Sequence, residues 1–135
     1  MVLTVVIMNS AARLVPNARK RCHITPILKD LHWIPVTCRI EFKILLIVFK
    51  CLHGLAPSYL SDLINIKQHA HCTRSSKGLT LEIPYVKHQT LAARSFGYAG
   101  PKLWNSLPQD IRCEETVDRF KERLKTFMFK RSYDS

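Results

Sequence analysis

The chain has 135 residues, enough for one domain with a sizeable core and short of the length two domains usually need. Hydrophobic residues make up 47% and charged ones 23%, and there are only four glycines and seven prolines, which excludes a disordered polyelectrolyte and a collagen-like or low-complexity chain. Twenty-one Lys and Arg against ten Asp and Glu leave +11, an excess that favours anionic partners.

The excess is not a tail. Residues 1–67 carry nine basic and three acidic side chains, and residues 68–135 carry twelve and seven, so the halves stand at +6 and +5. A solvated surface is always charged, but a uniform excess of this size costs self-repulsion that an unbound domain has no need to carry. Five cysteines at Cys22, Cys38, Cys51, Cys72 and Cys113 are odd in number and widely spaced, which points to reduced thiols and an intracellular setting, nucleus or cytoplasm. The apolar stretch at Met1–Met8 lacks the basic lead and cleavage site of a secretory signal. The longest apolar run, Ile44–Phe49, is far shorter than the ~20 residues of a bilayer span, so no membrane segment is expected.

In chain order, a first helix is predicted over residues 3–15, closed by Pro16-Asn17, and its uncapped apolar start reads like the middle of something longer. Thr25-Pro26 predicts a second helix start, Thr as cap and Pro in the first position, with Ile27, Leu28 and Leu31 inward. The strongest element is Val36–His53, apolar over most of its circumference and therefore the expected buried centre. Gly54 supplies a left-handed stop with Leu55 folding back, and Pro57 restarts a short helix that turns Leu60, Leu63 and Ile64 inward.

Residues 67–78 read as a polar loop. Leu79, Leu81 and Ile83 alternate with Thr80 and Glu82 as in a half-buried strand, with a return strand expected around Val86–Leu91. A helix follows over Phe96–Asn105, tolerating Pro101 only if it begins there. The last helix, Val117 to about Lys130, is capped by Thr116 and places Val117, Phe120, Leu124, Phe127 and Met128 on one face. The expected fold is mainly α with an α+β element: a helical bundle around a central buried helix, with one small β-hairpin. Residues 1–66 form a helical part, 67–95 the polar loop and hairpin, and 96–135 a second helical part, together one domain.

Catalytic patterns are missing. The four glycines assemble no phosphate-binding loop, no Ser stands in a GxSxG elbow, and no acids cluster as a two-metal site requires, so no enzyme activity and no cofactor or small-molecule substrate are expected. Glu114-Glu115 precede a helix and suit its dipole. His69, His71 and Cys72, with Cys22-His23, are the only dense metal-ligand types, and neither CxxC nor HxxxH spacing occurs, so a polar loop with incidental His is the favoured reading and no metal is assigned.

Basic rows are the better signal. At ~100° per residue, Arg39, Lys43 and Lys50 fall within about 40° of one another, with His53 adjoining, and Arg119, Arg123 and Lys130 repeat those offsets. Such rows track phosphate backbones, since each cation displaces a condensed counterion. The plainer alternative is the polar face every amphipathic helix needs; Lys121 and Lys125 beside the last apolar face favour contact there. Trp33, Tyr59, Tyr85, Phe96, Tyr98 and Trp104 could stack on bases, but no aromatic run on a strand exists, and core packing is the favoured role.

Several strings are similar to a known family. Asn9-Ser-Ala-Ala-Arg-Leu-Val15, His23-Ile-Thr-Pro-Ile-Leu-Lys-Asp-Leu-His-Trp-Ile-Pro-Val36, Arg39-Ile-Glu-Phe-Lys-Ile-Leu-Leu46, Leu52-His-Gly-Leu-Ala-Pro-Ser-Tyr-Leu-Ser-Asp-Leu63 and Pro101-Lys-Leu-Trp-Asn-Ser-Leu-Pro108 resemble, in unbroken order over residues 9–130, the segment C-terminal to the reverse transcriptase core of a LINE-type, non-LTR retrotransposon polyprotein. The resemblance implies a parent that nicks DNA and copies its own RNA at the nick, but the polymerase's YxDD acids do not occur here. What it implies for this chain is a non-catalytic accessory segment or remnant that contacts RNA or DNA. Two alternatives stand beside it: a helical protein-interaction module whose apolar first helix docks on a polymerase core or other partner, and a decayed product without function.

Overall fold

The computed structural model describes residues 2–67, 79–86 and 94–133, Val2 through its backbone alone. Among these lie seven helices and no sheet, so the mainly helical expectation holds. The chain divides into two compact units, Met1–Ile40 with Lys125–Ser135, and Glu41–Leu124.

The first unit contains α1 (Val2–Leu14), α2 (Ile24–Asp30), the opening turn of α3 (Val36–Leu52) and the closing turns of α7 (Val117–Tyr133). Helix α1 stops as the sequence predicts. Asn17 takes a left-handed φ of 52°, its N–H bonds to Leu14 O at 3.2 Å, and the Ala18 N–H reaches back to Arg13 O at 2.9 Å. The same paired closure ends α2 on His32, φ 54°, with His32 N–H to Lys29 O at 3.0 Å and Trp33 N–H to Leu28 O at 2.8 Å. A left-handed His costs roughly 1 kcal/mol, and its ring is held by stacking on Phe129, centroids 5.5 Å apart. Ala12, Leu28, Ile34 and Met128 are the buried apolar side chains of this unit.

The start of α2 differs from the expectation. His23 is the N-cap, without a side-chain capping bond, and Thr25-Pro26 lie inside the first turn. Proline is accepted there because the amides of the first turn have no intrahelical acceptor to lose.

The second unit contains the rest of α3, α4 (Ser58–Ser61), α5 (Phe96–Asn105), α6 (Gln109–Arg112) and the start of α7. Its core is Leu45, Val48, Phe49, Leu81, Trp104, Leu107, Ile111, Phe120 and Leu124. Phe49 stacks on Phe120 with centroids 4.3 Å apart and on His53 at 4.0 Å, while Trp104 lies 5.9 Å from Phe120. Burying an apolar side chain of this kind contributes about 2–3 kcal/mol. Gly54 ends α3 at φ 68°, and the Leu55 N–H bonds to Lys50 O at 2.8 Å, but the Leu55 side chain stays exposed rather than folding back. Leu63, expected inward, is also exposed, because the short α4 ends two residues before it.

Pro101 stands in the interior of α5, not at its start. Gly100 lets this helix approach α3: a Cβ there would meet Val48 Cγ2 at 2.9 Å. Pro101 is itself fully buried, so packing offsets the amide it lacks.

The expected hairpin is not supported. Among the described residues Leu81 pairs with Ile66 in a single antiparallel bridge, flanked by Lys67 N–H to Thr80 O at 2.9 Å and Glu82 N–H to Asn65 O at 2.8 Å. The opposite edge of Leu81, where a return strand would add, is occupied by a side chain. Asn105 accepts from Leu81 N–H at 2.9 Å and donates to Leu81 O at 2.8 Å. Most of the predicted return strand, and the polar loop from residue 68 on, lie outside the described residues.

Candidate nucleic-acid interface

The six basic residues of the two rows meet different surroundings. On α3, Arg39 is half-buried and bound within the first unit. Its Nε donates to Ile34 O at 2.9 Å, a terminal nitrogen lies 3.9 Å from Met8 Sδ, and the guanidinium sits 5.6 Å from the centre of the Trp33 ring. Lys43 is exposed and Lys50 half-buried. His53, beside them, is fixed by its ring: Nδ1 lies 2.9 Å from Phe49 O, and the ring stacks on Phe49.

On α7, Thr116 stands at the N-cap position and its carbonyl accepts the Phe120 N–H at 3.0 Å. Phe120, Leu124 and Met128 are buried along one face, with Val117 and Phe127 half-buried beside them, as the periodicity requires. Arg119 and Lys130 are exposed on the polar side. Arg123 is engaged. It pairs with Glu114 at 2.9 Å and Asp110 at 3.8 Å, and a terminal nitrogen lies 3.4 Å from Asp110 O. Glu114, read from sequence as serving the helix dipole, holds a specific cation. Lys121 pairs with Asp118 at 3.3 Å, Arg131 lies over the Phe127 ring, and Lys125 is exposed.

Helical spacing therefore places the rows but does not say which members are engaged. Trp104 serves packing: it is buried with Nε1 donating to Leu79 O at 2.9 Å, whereas Trp33 is half-buried beneath the Arg39 guanidinium, its carbonyl accepting from Tyr133 Oη at 2.5 Å. Tyr59 and Tyr85, in contrast, are exposed.

Among the described residues, two groups have a shifted pKa. Burial pushes the Cys51 thiol up, opposed by its contact with Ser61. Burial also raises the Tyr133 hydroxyl, reinforced by Cys38 and opposed by Arg39. No group of three or more His, Cys, Asp or Glu able to hold a metal occurs among the described residues; His69, His71 and Cys72 lie outside them. No helix among the described residues is long and apolar enough to cross a membrane. Comparison with protein-family models, curated proteins and solved structures gives no match.

Proposed function

We propose that this chain is a non-catalytic accessory segment or remnant of the kind found C-terminal to the reverse transcriptase core of a non-LTR retrotransposon, and that it binds RNA or DNA through phosphates with little regard to sequence. The observation that carries the reading is the charge: +11 spread over both halves, with Lys43, Arg119, Lys125 and Lys130 exposed. Each cation that meets a phosphate releases a condensed counterion. The ordered resemblance over residues 9–130 supports the origin.

The test uses the full chain freed of nucleic acid, titrated into labelled single-stranded RNAs and DNAs of about 20 nucleotides and unrelated sequence. Comparable affinities that fall with salt are expected. Absence of binding, or binding confined to one sequence, contradicts the proposal.

A second reading, a helical protein-interaction module, is favoured by one observation: α1 leaves Leu3, Val6, Ile7 and Leu14 more than half exposed.

A further inference from the structure

The segment joining α1 to α2 is held at both ends. The Ala18 N–H reaches Arg13 O at 2.9 Å, the Cys22 N–H bonds to Arg19 O at 3.0 Å, and Nη2 of Arg13 donates to Cys22 O at 3.4 Å. Between this segment and α2 lies a cleft of about 360 Å³, within the roughly 300–1,000 Å³ of small-molecule sites. Pro16, Pro26, Ile27 and Leu31 supply apolar wall, and His23 and Asp30 stand among them.

The charges along this cleft indicate its occupant. Arg19, Lys20 and Arg21 are all exposed, and they lie between Ala18 and Cys22, both of which line it. The turn that Cys22 closes on Arg19 keeps those two Cα atoms within about 7 Å, so three cations crowd one rim. Adjacent guanidinium and ammonium groups of this kind suit the several oxygens of a phosphate. Asp30 stands at the other end of α2, seven residues beyond His23 and so about 10 Å along the helix. Its carboxylate has no partner among the described residues, where only its backbone carbonyl is engaged, 3.3 Å from His32 Nδ1. A cleft that is cationic at one end, apolar along its walls and anionic at the other fits a ligand with phosphate, ring and N–H donors in that order. A nucleotide has that order. A carboxylate only accepts, and among the common bases guanine alone sets two N–H donors side by side on one edge.

We propose that this cleft binds a guanine nucleotide, with the phosphate on Arg19, Lys20 and Arg21, the base against Pro26, Ile27 and Leu31, and its N1–H and exocyclic amino group on the Asp30 carboxylate. The cleft is open to solvent along its exposed residues, so the dissociation constant is on the order of 0.1 mM. The site takes a free mononucleotide. It rests neither on the exposed cations of α3 and α7 nor on the retrotransposon reading.

The test is calorimetric titration of the full chain, freed of nucleic acid, with GMP, AMP, guanosine and inorganic phosphate at about 0.15 M NaCl. GMP should bind about tenfold or more tighter than each of the other three. Arg19→Ala/Lys20→Ala/Arg21→Ala should reduce GMP to the affinity of guanosine. Asp30→Asn should remove the preference for GMP over AMP, because a carboxamide offers one acceptor and one donor in place of two acceptors. Both variants alter exposed positions and should keep the circular dichroism of the parent. No binding of GMP up to about 5 mM overturns the proposal. So does phosphate binding as tightly as GMP, equal affinity for GMP and AMP, or indifference to either folded variant. Salt-dependent RNA binding without GMP binding overturns this proposal alone and leaves the previous one standing.

Discussion

The side chain of Asn105 takes the place of a β-strand for Leu81. Its carboxamide accepts from the Leu81 N–H at 2.9 Å and donates to the Leu81 carbonyl at 2.8 Å, while the Leu81 side chain is 1% exposed. One residue earlier, Trp104 donates to Leu79 O at 2.9 Å. The adjacent Trp-Asn pair of α5 thus fixes an extended segment that has one bridge of its own. Asn105→Ala leaves two backbone groups unpaired and should cost roughly 2–4 kcal/mol. Asn105→Asp retains the acceptor but sets a carboxylate against the Leu81 carbonyl. Its deficit should shrink below about pH 4, where the protonated acid donates again. Denaturant midpoints of the three proteins at pH 3.5 and 7 check both.

Phe49 tests the centre of the second unit. It is fully buried between Phe120 and His53, so Phe49→Ala should cost about 3–5 kcal/mol, and Leu45→Ala about 2–5. Ile40→Ala, on the same helix but 42% exposed, should cost less than either. Urea titrations followed by tryptophan fluorescence rank the three.

Arg39 and Lys43 separate structure from binding within one helical row. Arg39→Ala removes a hydrogen bond to Ile34 O and the stacking on Trp33, and should lower stability by about 1–2 kcal/mol. Lys43→Ala should leave stability within about 0.5 kcal/mol and weaken RNA binding. Thermal midpoints and affinities measured on both variants decide it.

Tyr133 gives the fold an alkaline limit. Its hydroxyl donates to Trp33 O, and burial raises its pKa above the ordinary value. The folded chain therefore holds the proton more tightly than the unfolded one, and this contribution is complete below about pH 10 and lost as pH rises through the folded value. Tyr133→Phe should be less stable by about 1 kcal/mol at pH 8. That difference should narrow above pH 10 in chemical denaturation.

Legibility in the sequence followed the range of the interactions. The stops at Asn17 and Gly54 and the face of Phe120, Leu124 and Met128 are local, and periodicity or a single residue type announces them. His32 carries no such signal in its residue type, and the ring it stacks on, Phe129, lies far along the chain. Alternation identified the extended segment, but the partners that the structure gives Leu81, Ile66 and the side chain of Asn105, could not be read from alternation. Within the basic rows, spacing could not reveal that Asp110 and Glu114 converge on Arg123. The outward face of α1 lay in the sequence as surplus apolar residues, and the burial of Ala12 with half-buried Val5 and Met8 distinguishes the inner face from it.

The salt dependence of RNA binding tests the central claim most directly. For the full chain, log affinity against log salt should fall linearly, with a slope of about −0.7 for each phosphate contact on a single strand. Lys43→Ala/Arg119→Ala, altering two exposed cations of the second unit, should flatten that slope by about one to one and a half units at unchanged helicity. A slope near zero for the parent chain, or an identical slope for the folded variant, would contradict phosphate contact by these residues.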